Sequence, residues 1–226
     1  LIFKKGTYLI RLENLSIKSN IGRNLIKDVN LFIPSGSTVL IIGKHSIGKT
    51  MLARAIGLVD KPANGNLYLL GKNINKLSRS ELSSIHSEIG IVFQENYFIN
   101  EFNLETNIIF PLILKNEKRN DITQALRELL PWLSLEKVIK EKVYNLSLAE
   151  LKLAQFARAI IGRPRILLLD NFFNDVDRGI QKKINYLILA LKKIGTTVII
   201  FGESPDDNSI NFNKRYEIYN KNLEER

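Results

Sequence analysis

Residues 43–50 constrain the fold of this chain more than any other stretch. They read Gly-Lys-His-Ser-Ile-Gly-Lys-Thr, which has the Gly-x-x-x-x-Gly-Lys-Thr spacing of a phosphate-binding loop. The apolar run at 38–42 predicts a buried strand before the loop, and the periodicity of 50–58 predicts a helix after it. Glycines at both ends of the loop let the backbone turn its N–H groups toward an anion at the positive end of that helix. The segment therefore predicts a site where Lys49 contacts phosphate and Thr50 ligates Mg²⁺.

Composition narrows the classes of protein and partner. The chain has 226 residues and no cysteine, so it is long enough to bury a core and cannot be a disulfide scaffold. No apolar run approaches the roughly 18 residues that a membrane-spanning helix needs, and we expect the chain itself to be soluble. The net charge of +10 is dispersed, which is typical of a solvated face and, second, of attraction to a membrane surface. Basic groups without interleaved aromatic residues argue against a nucleic-acid partner.

The hydrophobic periodicity predicts alternating strands and helices. Residues 8–17 and 25–33 alternate apolar and polar side chains, which predicts two antiparallel strands. The same reasoning predicts further strands at 66–70, 89–93, 166–170 and 196–201, and helices at 80–87, 147–162 and 180–193. Strands that alternate with helices imply a largely parallel sheet covered on both faces.

The stretch from about 95 to 160 is predicted to be helical. Apolar residues recur at spacings of three and four in 104–114, 122–130 and 135–139, with Pro111 and Pro131 as breaks. Ser147 is followed three positions later by Glu150, which is the capping-box pattern for a helix start. The last residues, 220–226, are predicted to be frayed.

This order of elements resembles the nucleotide-binding subunit of an ABC (ATP-binding cassette) transporter over about residues 8–219. The resemblance implies an α/β P-loop NTPase fold with a mainly parallel sheet flanked by helices, an N-terminal antiparallel β subdomain and an inserted helical lobe. It also implies a single ABC ATPase domain over residues 1–226. The RecA-like core and antiparallel lobe would occupy about 1–94 and 164–226, and the helical lobe about 95–163.

The resemblance assigns roles to individual residues. Gln94 and Asp170 match the glutamine and the Walker B aspartate that, with Thr50, hold Mg²⁺, and Ala157-Arg-Ala159 matches the segment after the family signature. Residues of the signature and the dimer contact would be Ser147, Leu148, Ala149, Glu150 and Asp177. Residues that bind nucleotide would be Gly43, Lys44, His45, Ser46, Ile47, Gly48, Lys49, Thr50, Met51, Gln94 and Asp170.

Several positions depart from the family pattern. The family glutamate that polarises the attacking water is Asn171 here, and an amide cannot accept that proton. Glu203 stands where the family has a histidine near the γ-phosphate. Two unit charges about 4 Å apart repel by roughly 4 kcal/mol at a surface-like dielectric, so Glu203 disfavours the γ-phosphate unless it turns away or is neutralised. A narrower hypothesis gives Glu203 the role of the base.

The signature is also altered. Leu-Ser-Gly-Gly-Gln becomes Leu146-Ser-Leu-Ala-Glu150, and in a sandwich dimer the bulk of Leu148 would obstruct the approach of the partner's phosphate. Ser19 and Asn20 lie where the family stacks an aromatic ring on adenine.

These departures predict a subunit that binds Mg-ATP but hydrolyses it poorly. The resemblance implies membrane-spanning ABC subunits and a second nucleotide-binding subunit as partners, with the chain peripheral on the cytoplasmic side of a membrane. Residues 95–114 lie where the family docks its membrane subunit, although their aromatic residues also suit a lobe core. The chain loosely resembles most the branch that moves lipids or lipoproteins or acts in cell division. The alternative hypothesis is a non-transport pseudo-ATPase that regulates or assembles partners, in cell division or with nucleic acid.

Overall fold

A computed structural model describes residues 8–19, 21–173, 176–202 and 210–226. Its helices are α1 (Lys49–Ile56), α2 (Arg79–His86), α3 (Leu104–Leu114), α4 (Arg119–Leu133), α5 (Leu148–Ile160) and α6 (Arg178–Lys193). Its strands are β1 (Tyr8–Lys18), β2 (Asn24–Pro34), β3 (Thr38–Gly43), β4 (Asn64–Leu69), β5 (Lys72–Asn73), β6 (Ile89–Val92), β7 (Ile166–Asp170), β8 (Thr197–Phe201), β9 (Lys214–Tyr219) and β10 (Asn222–Glu225).

The larger sheet has the strand order β10-β9-β3-β8-β7-β6, and it is parallel except at β10. Side chains alternate between its two faces: Leu40 and Leu167 belong to one hydrophobic cluster, and Ile41 and Leu168 belong to the other. The first cluster also holds the buried apolar residues of α3, α4, α5 and α6, and the second holds those of α1 and the smaller sheet. Because both faces are covered, the central strands β3, β7 and β8 are nearly continuous apolar runs, whereas β9 and β10 at one edge carry exposed polar residues.

The smaller sheet has the order β2-β1-β4-β5 and is antiparallel throughout. Leu12 of β1 lies opposite Leu31 of β2 and Leu67 of β4, and all three are buried. The predicted fold class is therefore confirmed: a mainly parallel sheet flanked by helices, with an antiparallel β subdomain at the N-terminus and helices inserted between β6 and β7.

Two prolines that were predicted as breaks lie inside helices. Pro111 is within α3 and Pro131 is within α4. A proline inside a helix costs about 3 kcal/mol, but Leu112 and Leu133, which follow them, are buried in the lobe core. Burial of these leucines offsets the cost of the proline, so each helix continues beyond it.

The helix predicted at 135–139 is wrong. Ser134 adopts a left-handed conformation with φ of 56° and ends α4. The N–H of Val138 then donates to the Leu135 carbonyl, and that of Glu141 to the Val138 carbonyl, so consecutive turns replace a helix. A three-residue apolar spacing fits turns as well as it fits a helix.

The prediction of a frayed C-terminus is also wrong, because β10 pairs with β9 along 222–225. Ion pairs of Lys214 with Glu225 and of Arg226 with Glu217 fasten this hairpin. In the ranges the structure describes, no helix combines the length and the apolar character needed to cross a membrane.

Candidate functional site

The loop between β3 and α1 leaves the start of that helix open. Gly48 precedes α1 with φ of 115°, and a Cβ there would lie 3.0 Å from the Cβ of Leu25, so both conformation and space require glycine. Within the part of the chain that the structure describes, no side chain caps α1, and the first turn of this helix contains no acidic residue. The first N–H groups of α1 are thus available to an anion, and the helix dipole favours one there.

Lys49 places a positive charge inside this loop. Its side chain is buried, and its Nζ donates to the carbonyls of Gly43 at 2.5 Å and Lys44 at 3.0 Å. Ile47 and Met51 pack against the hydrophobic core, whereas the side chains on the outside of the loop are exposed. These exposed residues are Lys44, His45 and Ser46.

Asp170 ends β7 and is fully buried. Among the described residues, neither of its carboxylate oxygens has a hydrogen-bond partner. Burial raises the pKa of Asp170, the nearby Thr50 hydroxyl and Lys49 ammonium oppose that rise, and the Glu95 carboxylate adds to it. A buried carboxylate without a partner is costly, so its position beside a hydroxyl and a cation indicates a ligand site.

The oxygen donors at this edge fit Mg²⁺. The strands β3, β7 and β6 are parallel, so the residues after them meet at the same edge of the sheet. Val92 pairs with Leu169, which brings the exposed Gln94 to the level of the residue after Asp170. A carboxylate, a hydroxyl and an amide oxygen are hard donors that suit Mg²⁺ together with phosphate oxygens.

Asn171 follows Asp170 in a left-handed conformation, with φ of 47°. Its backbone N–H donates to the Phe201 carbonyl at 2.8 Å, and a Cβ on Gly202 would lie 2.6 Å from its Oδ1. Asparagine tolerates this conformation better than most residues, and the Asn171 side chain leaves no room for a Cβ at position 202. Glu203 and Asn20 lie outside the described residues.

The start of α5 is closed by its own residues. Ser147 Oγ donates to Glu150 Oε2 at 2.7 Å, the Ser147 N–H donates to the same oxygen at 2.8 Å, and the Glu150 N–H donates back to Ser147 Oγ. These bonds lower the pKa of Glu150, the serine hydroxyl having the larger effect. Leu148 is 84% exposed and Ala149 is also exposed. The predicted capping box is confirmed.

Asp177 caps another helix, α6. Its Oδ1 accepts the N–H groups of Gly179 at 2.8 Å and Ile180 at 3.0 Å. These bonds account for an aspartate at this position by helix capping alone, whatever further role it has.

Sequence patterns missed the ties between the segment after Gln94 and α5. Gln155 Nε2 donates to the Glu95 carbonyl at 3.0 Å. Arg158 Nη1 donates to the Tyr97 carbonyl at 2.8 Å, its guanidinium lies 4.6 Å from the centre of the Phe98 ring, and burial lowers its pKa to about 10. Only the Ala157-Arg-Ala159 match pointed toward Arg158, and no pattern marks Gln155.

Comparison with known proteins gives a consistent picture. A family described as ABC transporter matches residues 26–174. A methionine import ATP-binding protein MetN from Aliivibrio fischeri is 32% identical over 178 residues, which are 78% of this chain and 52% of that protein. A lipoprotein-releasing system ATP-binding protein LolD from Aquifex aeolicus is 29% identical over 193 residues, which are 85% of this chain and 86% of that protein. The chain thus spans about half the length of the MetN relative and most of the LolD relative.

A solved structure shares the whole architecture. The ATP-binding cassette MJ0796, in a dimeric post-hydrolysis state bound to ADP and Pi, superposes with a TM-score of 0.86 at 28% identity. The superposition covers 96% of this chain and 97% of that chain.

Proposed function

This chain belongs to the ABC transporter family, and on that premise we propose that it is the ATP-binding subunit of a membrane ABC complex that binds Mg-ATP but hydrolyses it poorly. The observation that carries the proposal is that one edge of the sheet has the groups that bind Mg-ATP and lacks a carboxylate at the next position. The open start of α1, which carries Lys49, lies beside the buried Asp170 carboxylate, whose oxygens have no hydrogen-bond partner within the described ranges. The residue after Asp170, however, is an amide.

Binding is assigned to the loop and the sheet edge. Residues 43–51 hold the phosphates through backbone N–H groups and Lys49, which already lies inside the loop. Thr50, Gln94 and Asp170 hold Mg²⁺, which when bound neutralises charge on the phosphates. The metal would also compensate the buried Asp170 carboxylate. The bound nucleotide in the MJ0796 cassette supports this assignment.

Slow hydrolysis follows from Asn171. An amide cannot take the proton of an attacking water, and the residue after Asp170 presents an amide instead of a carboxylate. Glu203 would add negative charge near the γ-phosphate, which opposes the same step.

Partners and location are proposed from the relatives and the surface. We take residues 1–226 as one ATPase domain with a helical lobe at about 95–163, whose segment 95–114 docks a membrane-spanning subunit. A second nucleotide-binding subunit is supported by the dimeric MJ0796 structure. The chain would then be peripheral on the cytoplasmic side of a membrane. The lipoprotein-releasing LolD relative, matched over most of its length, supports lipid or lipoprotein trafficking as the process.

Two measurements on the purified chain test this function. A fluorescent ATP analogue measures Mg-dependent binding, and phosphate release measures turnover. We expect binding with turnover well below the usual enzyme range of about 1–10³ s⁻¹, and a faster rate in Asn171→Glu. Turnover within that range for the unaltered chain would overturn slow hydrolysis. Unaltered affinity in Lys49→Ala would overturn the phosphate site.

The partner is tested separately. We expect the chain to co-purify with a detergent-solubilised membrane subunit from its native cell. Binding to RNA or DNA with a steep salt dependence would instead support the non-transport alternative.

A further inference from the structure

A cleft on the opposite end of α1 from the phosphate loop plays no part in the proposed function. It has a volume of about 740 Å³ and lies between the C-terminal end of α1, the start of β4 and one face of α2. Ala55 and Leu58 form one wall, and residues 64–67 form another. Small-molecule sites in proteins have volumes of about 300–1,000 Å³, so this cleft is of the right size for one.

The sequence of α2 explains why the cleft stays open. Arg79, Leu82, Ser83 and His86 recur at the spacing of one helix face, and all four line the cleft. Only one of the four is an apolar side chain. A face of this kind gains little from collapsing onto α1, whereas Ile85, the buried residue of α2, packs into the core.

The floor of the cleft is apolar and its rim is cationic. Leu58, Leu67 and Leu77 are among the apolar residues that line it. At the rim, the side chains of Lys61 and Arg79 have no ion-pair or hydrogen-bond partner within the described ranges. The acidic residue in the lining, Asp60, is already paired with Arg54 through two bonds of 2.6 and 3.1 Å. The cleft therefore presents two uncompensated positive charges above an apolar surface.

We propose that this cleft is a binding site for a small amphipathic organic anion, with an apolar ring or chain and a single acidic group. The apolar body would displace water from the leucine floor, and the acidic group would pair with Lys61 and Arg79. The hydroxyl of Ser83 is available as a further hydrogen-bond donor on the same wall. Because α1 spans only about 12 Å, an occupant of the cleft lies one helix length from the phosphate loop.

The probe for the test is 8-anilinonaphthalene-1-sulfonate, which combines aromatic rings with one sulfonate and fluoresces when it leaves water. It is titrated against the full chain with and without excess Mg-ATP. We expect saturable binding of one dye per chain that excess Mg-ATP leaves in place. Displacement of the dye by Mg-ATP, or binding that does not saturate, would overturn the site. The tryptophan variants described next locate the dye whether or not the phosphate loop binds nucleotide.

Variants locate the dye. Ser83→Trp puts an indole in the cleft and should abolish the fluorescence increase, whereas Ser83→Ala should retain it. Ala63→Trp fills the cleft from the opposite wall and gives a second test if Ser83→Trp fails to fold, as judged by circular dichroism. Retention of dye binding by a folded tryptophan variant contradicts the proposal.

Charge reversal tests the class of ligand. The double variant Lys61→Glu with Arg79→Glu should raise the dye's dissociation constant by roughly tenfold or more. A matched double variant, Arg127→Glu with Lys182→Glu, makes the same change in net charge at exposed positions outside the cleft and should leave the constant within about twofold. Equal effects of the two double variants would show that the cleft does not select anions.

Discussion

The N-terminal ends of α1 and α5 have the same backbone and opposite surroundings. The first is preceded by a glycine, has no side-chain cap and carries a lysine where many helices carry an acidic residue. The second is capped by Ser147, and Glu150 places a carboxylate against its N–H groups. The start of α1 therefore leaves the positive end of its helix dipole free for an external anion. At the start of α5, the Glu150 carboxylate already occupies that position. A helix start binds phosphate only when the chain leaves it uncompensated.

This difference bears on the dimer. In the family pattern the segment at α5 faces a partner's phosphate, but here the serine hydroxyl already donates to a carboxylate and Leu148 projects beside it. If the proposed function is correct, this one chain carries two altered parts, which are Asn171 after Asp170 and the signature at 146–150. Each composite site of a dimer would then contain one altered part from this chain, so slow turnover would not be confined to one site.

The largest expected effect comes from removing the charge at the open end. Lys49→Ala removes the ammonium inside the loop, and hydrogen bonds to charged groups contribute about 1.5–3 kcal/mol each, so affinity for Mg-ATP should fall roughly 10- to 100-fold. Binding of a fluorescent ATP analogue measures this. Lys44→Ala removes an exposed lysine of the same loop and should change affinity by less than about threefold. Equal losses in the two variants would contradict a specific role for Lys49.

Next in size is the effect of Asp170→Asn on the nucleotide-free protein. Burial of the Asp170 charge outweighs the effects of the nearby Thr50 hydroxyl and Lys49 ammonium, so the variant should be more stable to unfolding by about 1–3 kcal/mol at neutral pH without Mg²⁺. It should also lose the Mg²⁺ dependence of ATP binding. Denaturant unfolding and ATP titrations with and without Mg²⁺ measure the two effects.

The pH dependence of that stability has a definite sign. The folded state raises the pKa of Asp170. The penalty is therefore absent below the unfolded-state pKa, grows as pH rises to the folded-state pKa and is complete above it. The stability difference between Asp170→Asn and the unaltered chain should shrink on acidification. A difference that grows on acidification would show that Asp170 has a stabilising partner.

At the capped start of α5, we expect substitutions to change stability and not ATP affinity. Ser147→Ala removes the cap of α5 and should lower the free energy of unfolding by about 1 kcal/mol while leaving ATP affinity unchanged. Because Ser147 lowers the pKa of Glu150, the Glu150 contribution is present above its unfolded-state pKa and is lost as pH falls through its folded-state pKa. Glu150→Gln should lack this acid-dependent loss. Ser78→Ala removes the equivalent capping box on α2 and is the matched control for the effect of cap removal on stability.

Both helix starts were predicted from sequence because their determinants are local. The glycine spacing of the loop and the Ser147 to Glu150 pattern each involve residues within one or two turns. The largely parallel sheet covered on both faces followed from the alternation of strand and helix periodicity. The buried strands were marked by apolar runs such as 166–169.

Long-range contacts were not predictable. Pro111 and Pro131 remain inside helices because the residues after them are buried by distant elements. The last strand, 222–225, is short and polar, and it forms because it pairs with β9 and two ion pairs stabilise the hairpin. The same holds for the site: Lys49 was marked by its motif, but the tie between Gln155 and Glu95 joins residues 60 positions apart.

The smallest expected effect concerns a connection between the two helices. Arg54 of α1 donates to the Tyr97 hydroxyl at 3.3 Å, and Arg158 of α5 donates to the Tyr97 carbonyl at 2.8 Å, so one residue contacts both. A double-mutant cycle of Tyr97→Phe and Arg158→Lys, measured as the free energy of ATP binding, should give a coupling of roughly 0.5 kcal/mol. The pair Tyr97→Phe and Arg163→Lys, with an arginine that pairs with Glu128 instead, should give none. Zero coupling in the first cycle would mean that the open and closed ends act independently, and that the state of α5 does not reach the phosphate loop through this residue.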